Sequence, residues 1–261
     1  MIVNTHRLFT RLLAKLRIGL VCDVGSMDGA DALRFSKAAP HARVLAFEAN
    51  PENLRLMQAN PALSQRNIQL VPMAATDSDG EAEFFLVAAD YARDDPRRGM
   101  SSLLRRADEW SPAATVRVRT TRLDRFLAEP LGGSGIALWI DAEGKAYETI
   151  EGATGIAHHV RVVHVEVETV PCIATGQKLY PQVKALLERL GFRQLATDMP
   201  PTHVQFNAVF TRIDLPADLR FQVGLQLMQA RLRYVVGSLL ARLSPTGAGR
   251  LGAVWRRLSR D

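Results

Sequence analysis

The stretch VCDVGSMDGADALRF (residues 21–35), followed by RVLAFEANPENLRLM (residues 43–57), constrains the fold most. It reads as strand, glycine-bearing turn, helix and second strand, with an acidic residue at that strand's end. Asp23, Gly25 and Ser26 occupy the first turn, Gly29 opens the helix, and Glu48 follows Asp23 by 25 residues. Glycine in the turn lets the backbone approach a ligand closely. A carboxylate ending the second strand can accept hydrogen bonds from both hydroxyls of a ribose. The layout predicts the nucleoside-binding half of a doubly wound α/β sheet. The glycines then discriminate between nucleosides. A dinucleotide site requires G-x-G-x-x-G and a helix N-terminus facing pyrophosphate. Here the pattern is Asp23-x-Gly25-x-x-x-Gly29, with Asp28 where the helix begins. An Asp at that place repels a diphosphate. S-adenosylmethionine has no phosphate and carries an amino group and a sulfonium, so the acidic turn favours it over NAD(P) or FAD. The competing structural reading is that Asp23 only caps the helix after it.

A chain of 261 residues, 47% hydrophobic and 23% charged, can build one sizeable α/β domain with appendages. Cys22 and Cys172 fall in apolar runs and match no metal spacing, which predicts two buried thiols and a reducing compartment. The apolar run after Arg7, Arg11, Lys15 and Arg17 is too short to span a bilayer and reads as the first core strand, not a leader. The expectation is a cytoplasmic protein, with peripheral contact at the inner membrane face left open. The net charge of +6 is concentrated at the two ends, which does not by itself indicate a nucleic acid partner.

Along the chain, residues 4–17 form an amphipathic helix within an N-terminal segment 1–18. Strands are expected at 19–24, 43–48 and 67–74, with helices at 29–38 and 51–60, the latter started by Asn50-Pro51. EAEFFLV (81–87) alternates as a further strand, and 116–127 alternates before turning helical. Residues 88–115 form a long polar loop of the kind that often serves as a lid. A buried strand at 135–144 ends in two carboxylates and leads into helix 145–154. Strand 160–170, helix 176–190 and a closing hairpin (191–195, 203–212) complete a domain over 19–213. The expected architecture is a mostly parallel, seven-stranded sheet with one antiparallel strand near its edge and helices on both faces. Residues 214–261 form a basic helical extension. Its helix, 217–243, precedes a break at 245–247 and a segment carrying Arg250, Arg256, Arg257 and Arg260.

In such sheets ligands bind beyond the carboxyl ends of the strands. Asp23, Glu48, Asp141, Glu143 and Glu166 all converge there. At this point the residues resemble a known family. IDAEGKAYETIEGA (140–153) is similar to the D-V-E-G-A-E…G block of FkbM-type methyltransferases. The turn at 23–29, Phe47-Glu48, Pro51, Leu123-Asp124 and Ser101-Ser102 also match, over about residues 19–170. Met27, Ala49 and Ala146 depart from the family pattern. The resemblance implies a Rossmann-like class I fold and S-adenosylmethionine-dependent O-methylation of hydroxyls on metabolites or glycans.

The candidate cofactor residues are Asp23, Gly25, Ser26, Gly29, Glu48, Ala49, Asn50, Ala75, Asp77 and Asp141. Asp77 is placed as an acceptor for the adenine amino group, against an Asx turn, and Asn50 is as readily an N-cap. Asp141, Glu143, His164 and Glu166 are the acid–base candidates, because an alcohol acceptor benefits from a base that takes its proton. His164 shares a strand face with Glu166 by period two, though a core histidine is the blander reading. Asp141, Glu143 and Glu166 offer hard oxygen ligands to a divalent cation, but no motif fixes a metal and none is expected. Ser101 and Ser102 are placed on the acceptor side. The expected partner is a small-molecule or glycan acceptor and no nucleic acid. A homodimer or membrane contact through the C-terminal helices is compatible with their arginine-rich, apolar pattern. An RNA or protein methyltransferase, a nicotinamide-dependent oxidoreductase and a non-catalytic scaffold are the rival readings.

Overall fold

The computed structural model describes residues 1–93, 95–106, 112–127 and 134–243, with residues 239–243 described by backbone alone. Helix α1 (Thr5–Lys15) leads into β1 (Ile18–Val24), α2 (Ala30–Ala38), β2 (Arg43–Phe47), α3 (Pro51–Gln58), α4 (Pro61–Ser64) and β3 (Ile68–Val71). Next come β4 (Ala74–Ala75), β5 (Gly80–Leu86), a 3-10 turn at Pro96–Gly99, β6 (Ala114–Thr121) and α5 (Leu123–Phe126). Strand β7 (Gly135–Ile140), α6 (Ala146–Glu151), a 3-10 turn at Thr154–Ile156 and β8 (Val160–Glu168) follow. Helix α7 (Tyr180–Arg189), β9 (Phe192–Thr197), β10 (Gln205–Arg212) and α8 (Ala217–Leu243) end the described chain.

The main sheet has seven strands in the order β3-β2-β1-β7-β8-β10-β9. Pairs from β3 to β8 are parallel, and β10 runs antiparallel to both β8 and β9. The fold is therefore Rossmann-like, with its antiparallel strand one place in from the edge. β1 (IGLVCDV) and β7 (GIALWI) are almost wholly apolar because helices cover both their faces. Leu20, Cys22, Leu138 and Ile140 pack under α5, α6 and α7, while Val21, Ala137 and Trp139 pack under α1, α2 and α8. Strand order reverses between β1 and β7, which makes a switch point at their carboxyl ends.

Helix α1 is part of this core. Leu8, Phe9, Leu12 and Leu13 of the helix, with Leu16 at its C-cap, are at most 1% exposed. Burying five such side chains is worth roughly 10 kcal/mol before the entropy of ordering the segment is subtracted. Asn4 caps the helix, its Oδ1 accepting from the Arg7 N–H at 2.9 Å.

Three expectations change. The strand expected at 67–74 is split: β3 ends at Val71, Pro72 supplies no N–H to continue a ladder, and β4 joins a second sheet of order β4-β6-β5. The helix expected at 145–154 stops at Glu151, where Gly152 is the C-cap and the chain tightens, with Ala153 N–H donating to the Ile150 carbonyl, into the 3-10 turn at Thr154–Ile156. The helix expected from 176 starts only at Tyr180, after Gly176 at φ +85°. Cys22 is buried and its thiol is pushed up to about 12 by burial, whereas Cys172 is only half-buried. Among the described residues no helix is long and apolar enough to cross a membrane. The break at 245–247 and the basic segment after it lie outside the described residues, as does the part of the polar loop at 107–111.

Candidate active site

A pocket of about 240 Å³ opens at the carboxyl ends of β1, β2 and β7, beside the switch point. Its walls are Gly25 and Met27 of the first turn, Glu48 to Asn50 after β2, and Asp141 to Glu143 after β7. The small sheet adds Ala74, Ala75 and Phe84, and the polar loop closes over it with Pro96, Arg98, Gly99, Ser101 and Leu103. Gly25 stands at φ +81°, and a Cβ there would sit 1.8 Å from the Asp141 carbonyl oxygen. Any side chain at this position would push the first turn away from the loop after β7. Met27 has φ +53°, a region that Asn and Gly occupy far more readily than Met.

Glu48 is the best-fixed group in the pocket. Its Oε2 accepts from the Met27 N–H and its Oε1 from the Asn50 N–H, each at 2.7 Å. Burial pushes its carboxyl up to about 7, against the opposing pull of those backbone amides. Asn50 does two further things: its Oδ1 caps α3 by accepting from the Glu52 N–H, and its Nδ2 donates to the Tyr91 hydroxyl. Asn53 lines the same wall with a buried Oδ1 that has no partner. Asp23, Ser26 and Gly29 stand behind the wall. Ser26 Oγ donates to Asp23 Oδ2 at 2.6 Å, and burial pushes the Asp23 carboxyl up to about 8. The Gly29 N–H donates to the Ser26 carbonyl, which closes the turn.

The opposite wall is a group of carboxyls. Glu143 has φ +43°, held by Ser102 Oγ donating to its carbonyl at 2.7 Å. Arg106 Nη1 lies 3.3 Å from Glu143 Oε2. Burial, with Asp141 and Glu168 nearby, raises the Glu143 carboxyl to about 8 although Arg106 pulls it down. Asp141 and Glu166 are hydrogen-bonded to each other. Burial raises both, and Glu166, beside three other carboxylates, is raised to about 10 and holds its proton at neutral pH. Gln205 Nε2 donates to the other side of Glu166 at 2.7 Å. Oxygens of Asp141, Glu143 and Glu166 all lie within 4.8 Å of one another. Three like charges that close do not all ionise without a counter-ion, so the set holds either shared protons or a hard cation such as Mg²⁺.

The structure thus gathers Gly25, Glu48, Ala49, Asn50, Ala75, Ser101, Asp141 and Glu143 at one pocket, with Glu166 hydrogen-bonded to Asp141 just behind. Two expected residues lie elsewhere. His164 is a core residue: it is 1% exposed, stacks on Trp139 at 3.5 Å between centroids and meets Thr5 Oγ1 at 3.3 Å. Burial drives its pKa well below the ordinary value. Asp77 is exposed in a turn, where its Oδ1 accepts from Thr76 Oγ1, and it does not reach the pocket. Ser102 holds the Glu143 backbone and lies off the pocket wall. Sequence reasoning missed Arg98, Arg106 and Glu168. Glu168 was within reach, being two residues beyond Glu166 on the same strand face. The arginines meet the site only through the folded loop.

The Methyltransferase FkbM domain model matches residues 23–194. The chain belongs to the FkbM methyltransferase family. The chain is 25% identical over 220 residues to the 2-O-methyltransferase NoeI of Sinorhizobium fredii (strain NBRC 101917 / NGR234), covering 76% of this chain and 81% of that one. Among solved structures it is similar to a methyltransferase FkbM from Methylobacillus flagellatus KT, at 14% identity and TM-score 0.46. That match covers 74% of this chain, which spans 44% of the solved one. An rRNA methylase from Streptococcus thermophilus matches at 14% identity and TM-score 0.46, over 82% of this chain and 99% of that one. The chain is a methyltransferase of the FkbM family.

Proposed function

We propose that the enzyme transfers a methyl group from S-adenosylmethionine to a hydroxyl of a glycan or glycolipid sugar or of a small metabolite. The observation that carries this reading is one pocket with Glu48, held by backbone amides, on one wall and an array of carboxyls on the other. Glu48 lines the pocket and accepts from the Met27 and Asn50 amides, with the Ala49 amide and the Asn53 side chain also donating to it, and ribose hydroxyls would share its pocket-facing acceptor sites. The unpartnered Asn53 Oδ1 fits a further donor of the nucleoside. Ala74, Ala75 and Phe84 offer an apolar wall for the base. The pocket is smaller than the roughly 300–1,000 Å³ usual for such ligands, so the loop at 96–103 gives way on binding.

Bound S-adenosylmethionine supplies a sulfonium-activated methyl for in-line displacement. The chain's own contribution is orientation and proton handling. Glu143 faces the pocket with a carboxyl raised to about 8, so its ionised form, which grows as pH rises towards 8, is the base that takes the acceptor hydroxyl's proton. Arg106 and the Ser102 hydrogen bond fix its direction. Asp141, hydrogen-bonded by protonated Glu166, orients the acceptor. This carboxyl-rich wall offers hydrogen-bond partners suited to a neutral polyol. NoeI, by its name a 2-O-methyltransferase, supports an oxygen acceptor.

The test is calorimetric titration of the full chain with S-adenosylhomocysteine, repeated with Glu48→Ala. Losing two charge-assisted hydrogen bonds should weaken binding on the order of 10²-fold. A screen of neutral glycans for methyl transfer follows. No binding by the wild type, or equal binding by the variant, overturns the clamp.

A further inference from the structure

Helix α8 has two apolar faces. Leu219 and Val223 are buried in the core shared with α1, with Leu227 and Ala230 packed alongside. Arg17 ties the helix start to the body through Asp218 at 2.9 Å. On the far side Phe221, Met228 and Leu232 are 62–68% exposed, and Val235 and Val236 are 44% exposed. At 3.6 residues per turn Phe221, Met228, Leu232 and Val235 form one stripe opposite the buried face. Residues 231–236 are all exposed, so the stripe is uncovered there, while Arg233, Tyr234 and Gly237 on the other side of the helix still line a cavity against α1. Single exposed apolar residues need no account, but a contiguous stripe marks an interaction surface.

The charge pattern selects what covers it. Residues 219–260 contain eight arginines and no acidic residue. Arg220 and Arg231 flank one edge of the stripe and Arg233 the other. Among the described residues none of these three has an ion-pair partner. A second copy of the chain would bring two such cationic segments together. Nucleic acid would satisfy the arginines and leave the stripe in water. An anionic bilayer takes both: the apolar side chains enter the acyl boundary, and the arginines reach back to the headgroups.

We propose that α8 docks the enzyme on an anionic lipid surface, its Phe221–Val235 stripe facing the bilayer. This stands independently of the acceptor reading. The test is flotation of the full chain with vesicles of phosphatidylcholine alone and of phosphatidylcholine mixed with phosphatidylglycerol. Two variants accompany it, Met228→Ser with Leu232→Ser, and Arg231→Gln with Arg233→Gln. The wild type should bind the mixed vesicles, lose them at high salt and ignore phosphatidylcholine alone. Each double variant should weaken binding about tenfold or more, with circular dichroism and melting temperature unchanged. Equal binding to both vesicles, no binding to either, or variants that bind as well as wild type overturns the proposal. So does a dimer in analytical ultracentrifugation that Met228→Ser with Leu232→Ser dissociates, or an RNA gel shift without vesicle binding.

Discussion

Trp139 and His164 face each other across β7 and β8, and two residues further along the same strand faces Asp141 and Glu166 do the same. The first pair is a sealed aromatic stack, closed by Thr5, His6 and Phe9 of α1. The second lies beyond the reach of that helix, at the carboxyl edge. Desolvation acts on both pairs with opposite consequences. It drives the imidazole of His164 well below its ordinary pKa, so the ring stays neutral at pH 7. It lifts the neighbouring carboxyls towards or beyond neutrality, where a proton can be taken or shared. The same burial weakens one base and strengthens another. Strand position alone does not separate the two roles; the end of α1 does.

The largest expected effect tests the carboxyl edge. Glu143→Gln keeps the shape and the Ser102 hydrogen bond to the backbone but removes the proton acceptor. Turnover should fall by about 10²–10⁴ while S-adenosylhomocysteine affinity and melting temperature stay near wild type. Turnover within a few-fold of wild type would take the base role from Glu143 and break the contrast. The aromatic pair should respond in the opposite sense. His164→Ala opens a cavity beneath α1 and should cost about 3 kcal/mol of stability, read by urea unfolding. Turnover of the folded fraction should be unchanged. Lost turnover with undiminished stability would put His164 back in the chemistry.

This contrast also marks where sequence reading succeeds and stops. The seven strands of the main sheet stand out because β1, β7 and β8 are apolar runs ended by Asp, Gly or Glu. The start of α8 matches the expected 217 because Pro216 sets it, and the helix runs to Leu243, the last described residue. Gly25 and Glu48 were legible because the turn and the strand end lie within one βαβ unit. Asp141 and Glu143 were legible from their block. Their supports were not: Ser102 and Arg106 lie 41 and 37 residues from Glu143 and reach it only after the loop folds over the pocket. Asp77 was misplaced because Pro72 diverts the chain into the small sheet, and the turn there faces solvent. His164 was misplaced because period two assigns a face without saying which helix covers it.

The smallest expected effect sharpens the comparison through pH. On the proposed reading Glu48 accepts from both ribose hydroxyls, which requires it to be ionised. Its carboxyl is raised to about 7, so below that pH a proton occupies an oxygen that the ligand needs. The sign follows: donors from the ligand favour the carboxylate, binding lowers its pKa and releases a proton, and affinity rises with pH through 7 before levelling off. One such group predicts about a tenfold weakening of S-adenosylhomocysteine binding between pH 8 and pH 6. His164 is neutral throughout this range and contributes no step. Glu48→Gln should bind more weakly at every pH and flatten the profile, whereas His164→Phe should leave the slope intact. A slope that survives Glu48→Gln would assign the titration to Asp23 or Glu143, the other carboxyls raised to about 8 near the pocket. A slope lost in His164→Phe would mean that the stack beneath α1 is coupled to the edge after all.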